Sequence, residues 1–193
     1  MIYWIGWSIF KVIFSLIYRR KIIGLQNIPQ NGSYILAANH MSNADPPLVG
    51  SCISKPIHYI AKKELFNIPV FGWMISKANA FPVDRENSDM GAFRKALEIL
   101  KEGKTILFFP EGTRYKAGKT RKPKNGAAML SVLTNSPVIP VAINNSDKLL
   151  KFKRLKVSFG VPMKFDSKED YNSITAKIMK EIEKLKQYPE KSG

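Results

Sequence analysis

The chain has one cysteine, Cys52, and two histidines, His40 and His58, in 193 residues. A single thiol excludes an intramolecular disulfide and suits a reducing compartment. With no paired histidine nearby in sequence, Cys52 reads as a buried structural thiol and not as a nucleophile. Acid is scarce too: 15 Asp+Glu stand against 31 Lys+Arg, a formal net charge of +16. That surplus draws a protein to anionic surfaces such as acidic lipid, nucleic acid or an acidic carrier, and sign alone does not choose among them. No Gly-x-Ser-x-Gly elbow, zinc-ligand spacing, helix-turn-helix pattern or aromatic ribonucleoprotein motif is present, which leaves a serine hydrolase or a nucleic-acid module without its usual support. Internal repeats and low-complexity segments are also missing. The length suits one domain with a sizeable core.

What is present begins with an apolar, aromatic segment from Met1 to Tyr18, followed at once by Arg19, Arg20 and Lys21. A secretory signal would carry its positive charge before the apolar run, so that reading is set aside. Eighteen helical residues reach about 27 Å, short of a hydrocarbon core of about 30 Å, and Lys11 falls mid-span. Ser8, Lys11 and Ser15 share one narrow helical face. The preferred reading is therefore a helix lying in the membrane interface, with Trp4, Ile5, Trp7, Phe10 and Phe14 in lipid and the basic cluster on the cytoplasmic side. A helix merely packed on the core is the alternative. Residues 1–21 are thus read as an N-terminal membrane-associated helix and 22–193 as one α/β domain.

Beyond a linker containing Gly24, Pro29, Asn31 and Gly32, short apolar runs bounded by turn residues predict strands at Ser33 to Ala38, Ile57 to Ala61, Ala80 to Val83, Thr105 to Phe109, Val138 to Ile143 and Val157 to Phe159. Pro82 places the third of these at an edge or at its own end. Helices are expected from an Asp45 N-cap through Leu48, Val49 and Ile53, from a Ser88 N-cap through Leu100 to a stop at Gly103, from Gly126 to Leu133, and from Ser173 to Leu185 with Ile174, Ile178, Ile182 and Leu185 on one side. The aromatic stretch Phe71, Trp73, Met74 and Ile75 is either core or a lipid-facing lid. Strands alternating with helices imply an α/β fold, a mostly parallel or mixed sheet flanked by helices. In such sheets reactive groups gather beyond the carboxyl ends of strands.

Polar motifs stand at three such ends. His40 follows the first predicted strand with Asp45 five residues on, and a carboxylate on one imidazole nitrogen fixes the tautomer and steadies the charge that develops when the other takes a proton. Neither Ser42 nor Cys52 has the setting of an activated nucleophile, so the base would act on a substrate hydroxyl. Arg85 and Arg114 each follow an apolar strand, and guanidinium groups bind phosphate with a planar fork of donors. With Lys124 and the amides around Gly112 they would form a phosphate pocket. Glu111, among these cations, would either hold the arginines or contact a substrate hydroxyl. The 116–124 loop is a charged loop that near a membrane would seek anionic lipid.

Asn39-His40 through Asp45, Ala80-Phe81-Pro82-Val83-Asp84-Arg85, Phe109-Pro110-Glu111-Gly112-Thr113-Arg114 and Val138-Ile139-Pro140-Val141 resemble, in order, the four motifs of the glycerolipid acyltransferase family. The nearest members are bacterial 1-acyl-sn-glycerol-3-phosphate acyltransferases. The resemblance covers about Gly24 to Ile143. It implies that His40 is the general base with Asp45 as its partner, and that Arg85, Glu111, Gly112, Thr113 and Arg114 bind the glycerol phosphate. It further implies that the fourth motif lines the acyl pocket or shapes the core around it. Lys124 with Gly126 resembles a recurring basic position, and Asn79 departs from a more usual glycine. The implied reaction moves an acyl group from acyl-carrier protein or acyl-coenzyme A, as co-substrate, to the 2-hydroxyl of lysophosphatidic acid, giving phosphatidic acid. Neither cofactor nor metal is expected, and nucleic acid is not an expected partner. The implied setting is phospholipid biosynthesis at the cytoplasmic face of the cell membrane, with peripheral or monotopic attachment. The competing readings are acylation of another glycerol-phosphate or lysolipid acceptor, and a basic non-catalytic module that binds lipid or nucleic acid.

Overall fold

The structure, a computed structural model, describes residues 2–84, 89–114 and 122–187. In chain order these form α1 (Ile2–Leu16), β1 (Lys21–Ile23), β2 (Tyr34–Ala38), α2 (Asp45–Gly50), β3 (Ile57–Lys62), α3 (Phe71–Lys77), β4 (Ala80–Val83), α4 (Met90–Lys101), β5 (Thr105–Phe108), α5 (Gly126–Thr134), β6 (Val138–Asn144), β7 (Lys156–Phe159) and α6 (Tyr171–Gln187). The strands make one sheet in the order β1-β7-β6-β2-β5-β3-β4. Pairing is parallel throughout except between β6 and β7. The sheet is thus mixed and mostly parallel, flanked by helices, as the alternation of elements predicts.

Side chains alternate across a strand, and β2 divides two cores by that rule. Tyr34, Leu36 and Ala38 point into one, with Phe14 of α1 and Leu48 and Val49 of α2. Ile35 and Ala37 point into the other, with residues of α4, α5 and α6. All five residues of β2 are buried, as expected of a central parallel strand covered on both faces. Because β2, β3, β4, β5 and β6 run the same way, the polar segments that follow them emerge at one edge of the sheet.

Several local expectations are corrected. The helix after Asp45 ends at Gly50 and does not reach Ile53. Ser88 lies outside the described residues, and the side chain that caps α4 is Asp89, which accepts the Ala92 amide. A short strand, β1, lies where a linker was expected, and it begins at Lys21. It was missed because three residues carry no readable period. Pro82 does lie on an edge strand. Asn79 has φ 65°, so the left-handed bend that glycine adopts freely is kept by asparagine, a residue that tolerates it better than most.

Helix α1 shows two faces. Trp7 donates its indole N–H to the Ile53 carbonyl at 2.8 Å, Tyr3 Oη accepts the Ile57 amide at 2.9 Å, and Phe14 is fully in the core. These three positions lie on one side of a helix. Trp7 and Phe14 are therefore packing residues, not lipid-facing ones. The side turned away still exposes Ile5, Ile9, Val12 and Leu16, with Trp4 beside them. At 15 residues α1 spans about 22 Å. Among the described residues no helix is long and apolar enough to cross a membrane.

Candidate active site

Strand β2 ends at Ala38, and side chains take over its pairing on both sides. Asn39 donates from Nδ2 to the Ile143 carbonyl at 3.0 Å and accepts the Ile143 amide on Oδ1 at 2.7 Å, extending the contact with β6. The next residue, His40, donates its backbone N–H to Glu111 Oε2 at 3.0 Å, from the segment that follows β5. The chain can thus leave the sheet without stranding buried amides, and the imidazole is set at the edge in a fixed pose.

Asp45 lies wholly buried at the start of α2 and turns its carboxylate back over the loop. Its Oδ2 meets His40 Nδ1 at 2.9 Å and accepts the amides of Met41 and Ser42 at 2.7 Å each. Asp45 is not the N-cap expected from the sequence; Ala44 holds that position, without a side-chain bond. The carboxylate organises the loop instead of the helix end. A carboxylate can only accept, so this network assigns the proton to Nδ1 and leaves the Nε2 lone pair available. The ring stacks on Phe109 with centroids 4.0 Å apart and planes 20° apart, which fixes its remaining freedom.

His40 borders a cavity of about 560 Å³. Its wall is largely apolar and aromatic, built from Tyr3, Trp7 and Phe10 of α1, Tyr59 of β3, and Phe71 and Ile75 of α3. The aromatic stretch from Phe71 is therefore partly cavity wall, though Phe71, Trp73 and Met74 also expose much of their surface. Lys62 lines the cavity as well. Of the alternatives for the fourth motif, shaping the core is the one seen: Val138, Ile139 and Val141 are fully buried and none borders the cavity. Cys52 is buried, and burial pushes its thiol up to about 12, which suits a structural role. The second histidine, His58, is half-buried with Nδ1 facing the Thr105 carbonyl at 3.3 Å, away from this constellation.

Glu111 holds no arginine among the described residues; its contact is the His40 amide. Burial pushes its carboxyl up from an ordinary value near 4.5 to about 7, opposed by the His40 N–H and by Lys186. A group raised in the fold contributes stability that is full below its unfolded value and is lost as pH rises through the folded one. Glu111→Gln keeps an acceptor for the amide but cannot titrate. Denaturant unfolding at a series of pH values should show wild-type stability falling between about pH 5 and 8 by on the order of 3 kcal/mol more than that of the variant. Parallel curves would remove this role from Glu111.

Gly112 has φ 73° and its amide closes a turn on the Phe109 carbonyl, so that amide is already engaged. A β-carbon on Gly112 would come 3.3 Å from Lys124 Cε, and the Lys124 amide bonds the Pro110 carbonyl at 2.8 Å. The structure therefore brings Lys124 against the Glu111–Arg114 segment. Thr113 is half-buried, and Arg114 and Lys124 are exposed. Arg85 lies outside the described residues.

The family model described as Acyltransferase matches residues 19–144. The chain belongs to the acyltransferase family. A 1-acyl-sn-glycerol-3-phosphate acyltransferase of Bacillus subtilis is 31% identical over 185 residues, covering 91% of this acyltransferase and 92% of its relative. One of the same name from Streptococcus pneumoniae is 30% identical, over 81% of this chain and 61% of its own. The crystal structure of the 1-acyl-sn-glycerophosphate acyltransferase PlsC from Thermotoga maritima superposes with a TM-score of 0.76 at 29% identity, covering 98% of this chain and 81% of that one.

Two positions in the acyltransferase site carry contacts that sequence reasoning did not assign. Asn39 stood inside the first motif, but its partner is 104 residues away. Phe109 stood at the head of the third, where a strand-end aromatic gives no sign of stacking on a histidine. Tyr59 is a third omission, since half-buried strand positions look alike in sequence.

Proposed function

We propose that this enzyme acylates the 2-hydroxyl of 1-acyl-sn-glycerol-3-phosphate, with an acyl thioester of coenzyme A or acyl-carrier protein as donor and phosphatidic acid as product. The observation that carries the reading is the His40–Asp45 pair at the edge of an apolar cavity, with no nucleophilic side chain hydrogen-bonded to the imidazole among the described residues. His40 Nε2 removes the proton of the acceptor hydroxyl as that oxygen attacks the thioester carbonyl. The collapsing intermediate expels the thiolate, which takes up the proton held on His40 Nε2 and leaves as the free thiol. Nothing is left on the enzyme. The cavity suits an acyl chain, because its wall offers little to compete for hydrogen bonds. Holding both substrates by their apolar and anionic ends supplies positioning, and general-base help adds about 10²–10⁴-fold.

The acceptor phosphate is assigned to Arg114, Lys124 and Thr113 beside the Gly112 turn, together with Arg85. Arg114→Ala should raise the apparent KM for the lysophospholipid by roughly 10- to 100-fold and leave kcat nearly unchanged, as for a charge-assisted contact made equally in ground and transition states. Steady-state kinetics with the acceptor varied would show it, and an unchanged KM would take Arg114 out of the phosphate site. The exposed apolar face of α1 supports peripheral or monotopic attachment to the bilayer that holds the substrate. Purified protein incubated with lysophosphatidic acid and each donor in turn, with product followed by mass, tests the whole reading; no phosphatidic acid with either donor would overturn it.

A further inference from the structure

The segment between β6 and β7 is unlike the rest of the surface. It runs Ser146-Asp147-Lys148-Leu149-Leu150-Lys151-Phe152-Lys153-Arg154, four cations against one acid. Leu149 tucks against the core, but Leu150 is 94% exposed and Phe152 66% exposed, between exposed Lys148, Lys151, Lys153 and Arg154. Among the described residues no salt bridge engages those four cations. Ser146–Lys151 forms a short 3-10 turn that Phe152 closes at φ 48°, its N–H bonded to the Leu149 carbonyl.

The segment lies against the end of α1. Phe152 stacks on Tyr18 at 6.0 Å, Tyr18 lies against Phe14 at 6.1 Å, and Phe14 stacks on Phe10 at 5.7 Å. An aromatic ladder thus runs along α1 and onto the loop. Arg154 Nε donates to the Arg19 carbonyl at 3.1 Å, and the Leu155 amide to that of Tyr18 at 3.3 Å, fastening the two segments side by side. Leu16, 74% exposed, and Ile17 lie at the same end of the helix. Outward apolar side chains interleaved with exposed cations match the interface of an anionic bilayer, where the apolar groups enter the acyl boundary and the cations stay among phosphates.

We propose that the Ser146–Arg154 loop is a second, charge-selective contact with anionic phospholipid, set beside the α1 end. The proposal rests on the reading that α1 attaches to a membrane. It adds that attachment has two points and that the second depends on lipid charge.

Vesicle co-sedimentation of the full chain tests it, using phosphatidylcholine alone and phosphatidylcholine with a minority of phosphatidylglycerol. The wild type should prefer the anionic vesicles, and added salt should weaken that preference. Lys148→Gln, Lys151→Gln and Lys153→Gln together should weaken binding to the anionic vesicles by roughly tenfold or more, and leave binding to the neutral ones unchanged. Leu150→Ser with Phe152→Ser should weaken binding to both by about tenfold. Both variants should acylate a short-chain, monomeric lysophosphatidic acid at the wild-type rate, which also reports that they fold. If both variants bind vesicles as the wild type does, the loop contact is wrong while α1 attachment stands. If the wild type binds neither vesicle, the membrane reading fails and the proposal with it. Loss of turnover confined to acyl-carrier protein as donor, with vesicle binding intact, would make the loop a docking face for that acidic protein instead.

Discussion

His40→Ala should lower kcat by about 10³-fold or more and leave lysophospholipid binding within a few-fold of wild type. The ring is fixed three ways: Asp45 Oδ2 on Nδ1 at 2.9 Å, Phe109 stacked on its face, and Glu111 holding the backbone amide at 3.0 Å. A side chain held so firmly, with its second nitrogen left as the acceptor at a cavity edge, is arranged to take a proton from something in the cavity. Alanine removes that acceptor and little else that binds substrate, since the apolar wall and the exposed cations remain. Single-turnover release of thiol from an acyl thioester, run beside calorimetric binding of lysophosphatidic acid, separates the two effects. Near wild-type release by the variant would rule out His40 as the base. Loss of binding together with turnover would show that the ring holds the loop and not the chemistry.

Asp45→Asn should cost about 10²–10⁴-fold in turnover, by more than its near-identical shape suggests. Three donors converge on one oxygen of Asp45, namely His40 Nδ1 and the amides of Met41 and Ser42. An asparagine can present its carbonyl to them and keep the loop, but it brings no charge to steady an imidazolium. With the amide turned the other way, an NH₂ would face three N–H groups in a fully buried place, a conflict that costs several hydrogen bonds. Asp45→Ala supplies the contrast, because it orphans all three donors and should also lower Tm markedly. If Asp45→Asn retained full activity, the carboxylate would be needed only to shape the loop. A rate loss in Asp45→Asn with Tm preserved would place its role on the imidazole.

Much of this was readable because it is local. The His40–Asp45 contact spans five residues within one loop, so spacing alone suffices to suggest it. The six longer strands announced themselves as apolar runs between turn residues, and Ile174, Ile178 and Ile182 are buried on one side of α6 as their period requires. Asp45 shows the limit of local reading, since an acid before two prolines looks like a helix cap. Only the folded loop shows that the oxygen facing His40 also takes two amides and that Ala44, not Asp45, stands at the helix cap.

By itself the sequence determined the α/β class, the closeness of His40 to Asp45, the family resemblance and the surplus of positive charge, all properties of near neighbours in the chain or of totals over it. The tertiary structure decided the rest. Sheet order sets β2 between β5 and β6, which brings Glu111 to the His40 amide across 71 residues and Asn39 to Ile143 across 104. Docking of α1 turned Phe14 inward and, with Tyr3, Trp7, Tyr59 and Phe71, made the cavity. Strand pairing and helix docking are choices among distant partners, made by the burial of whole faces at once, and no single segment records them.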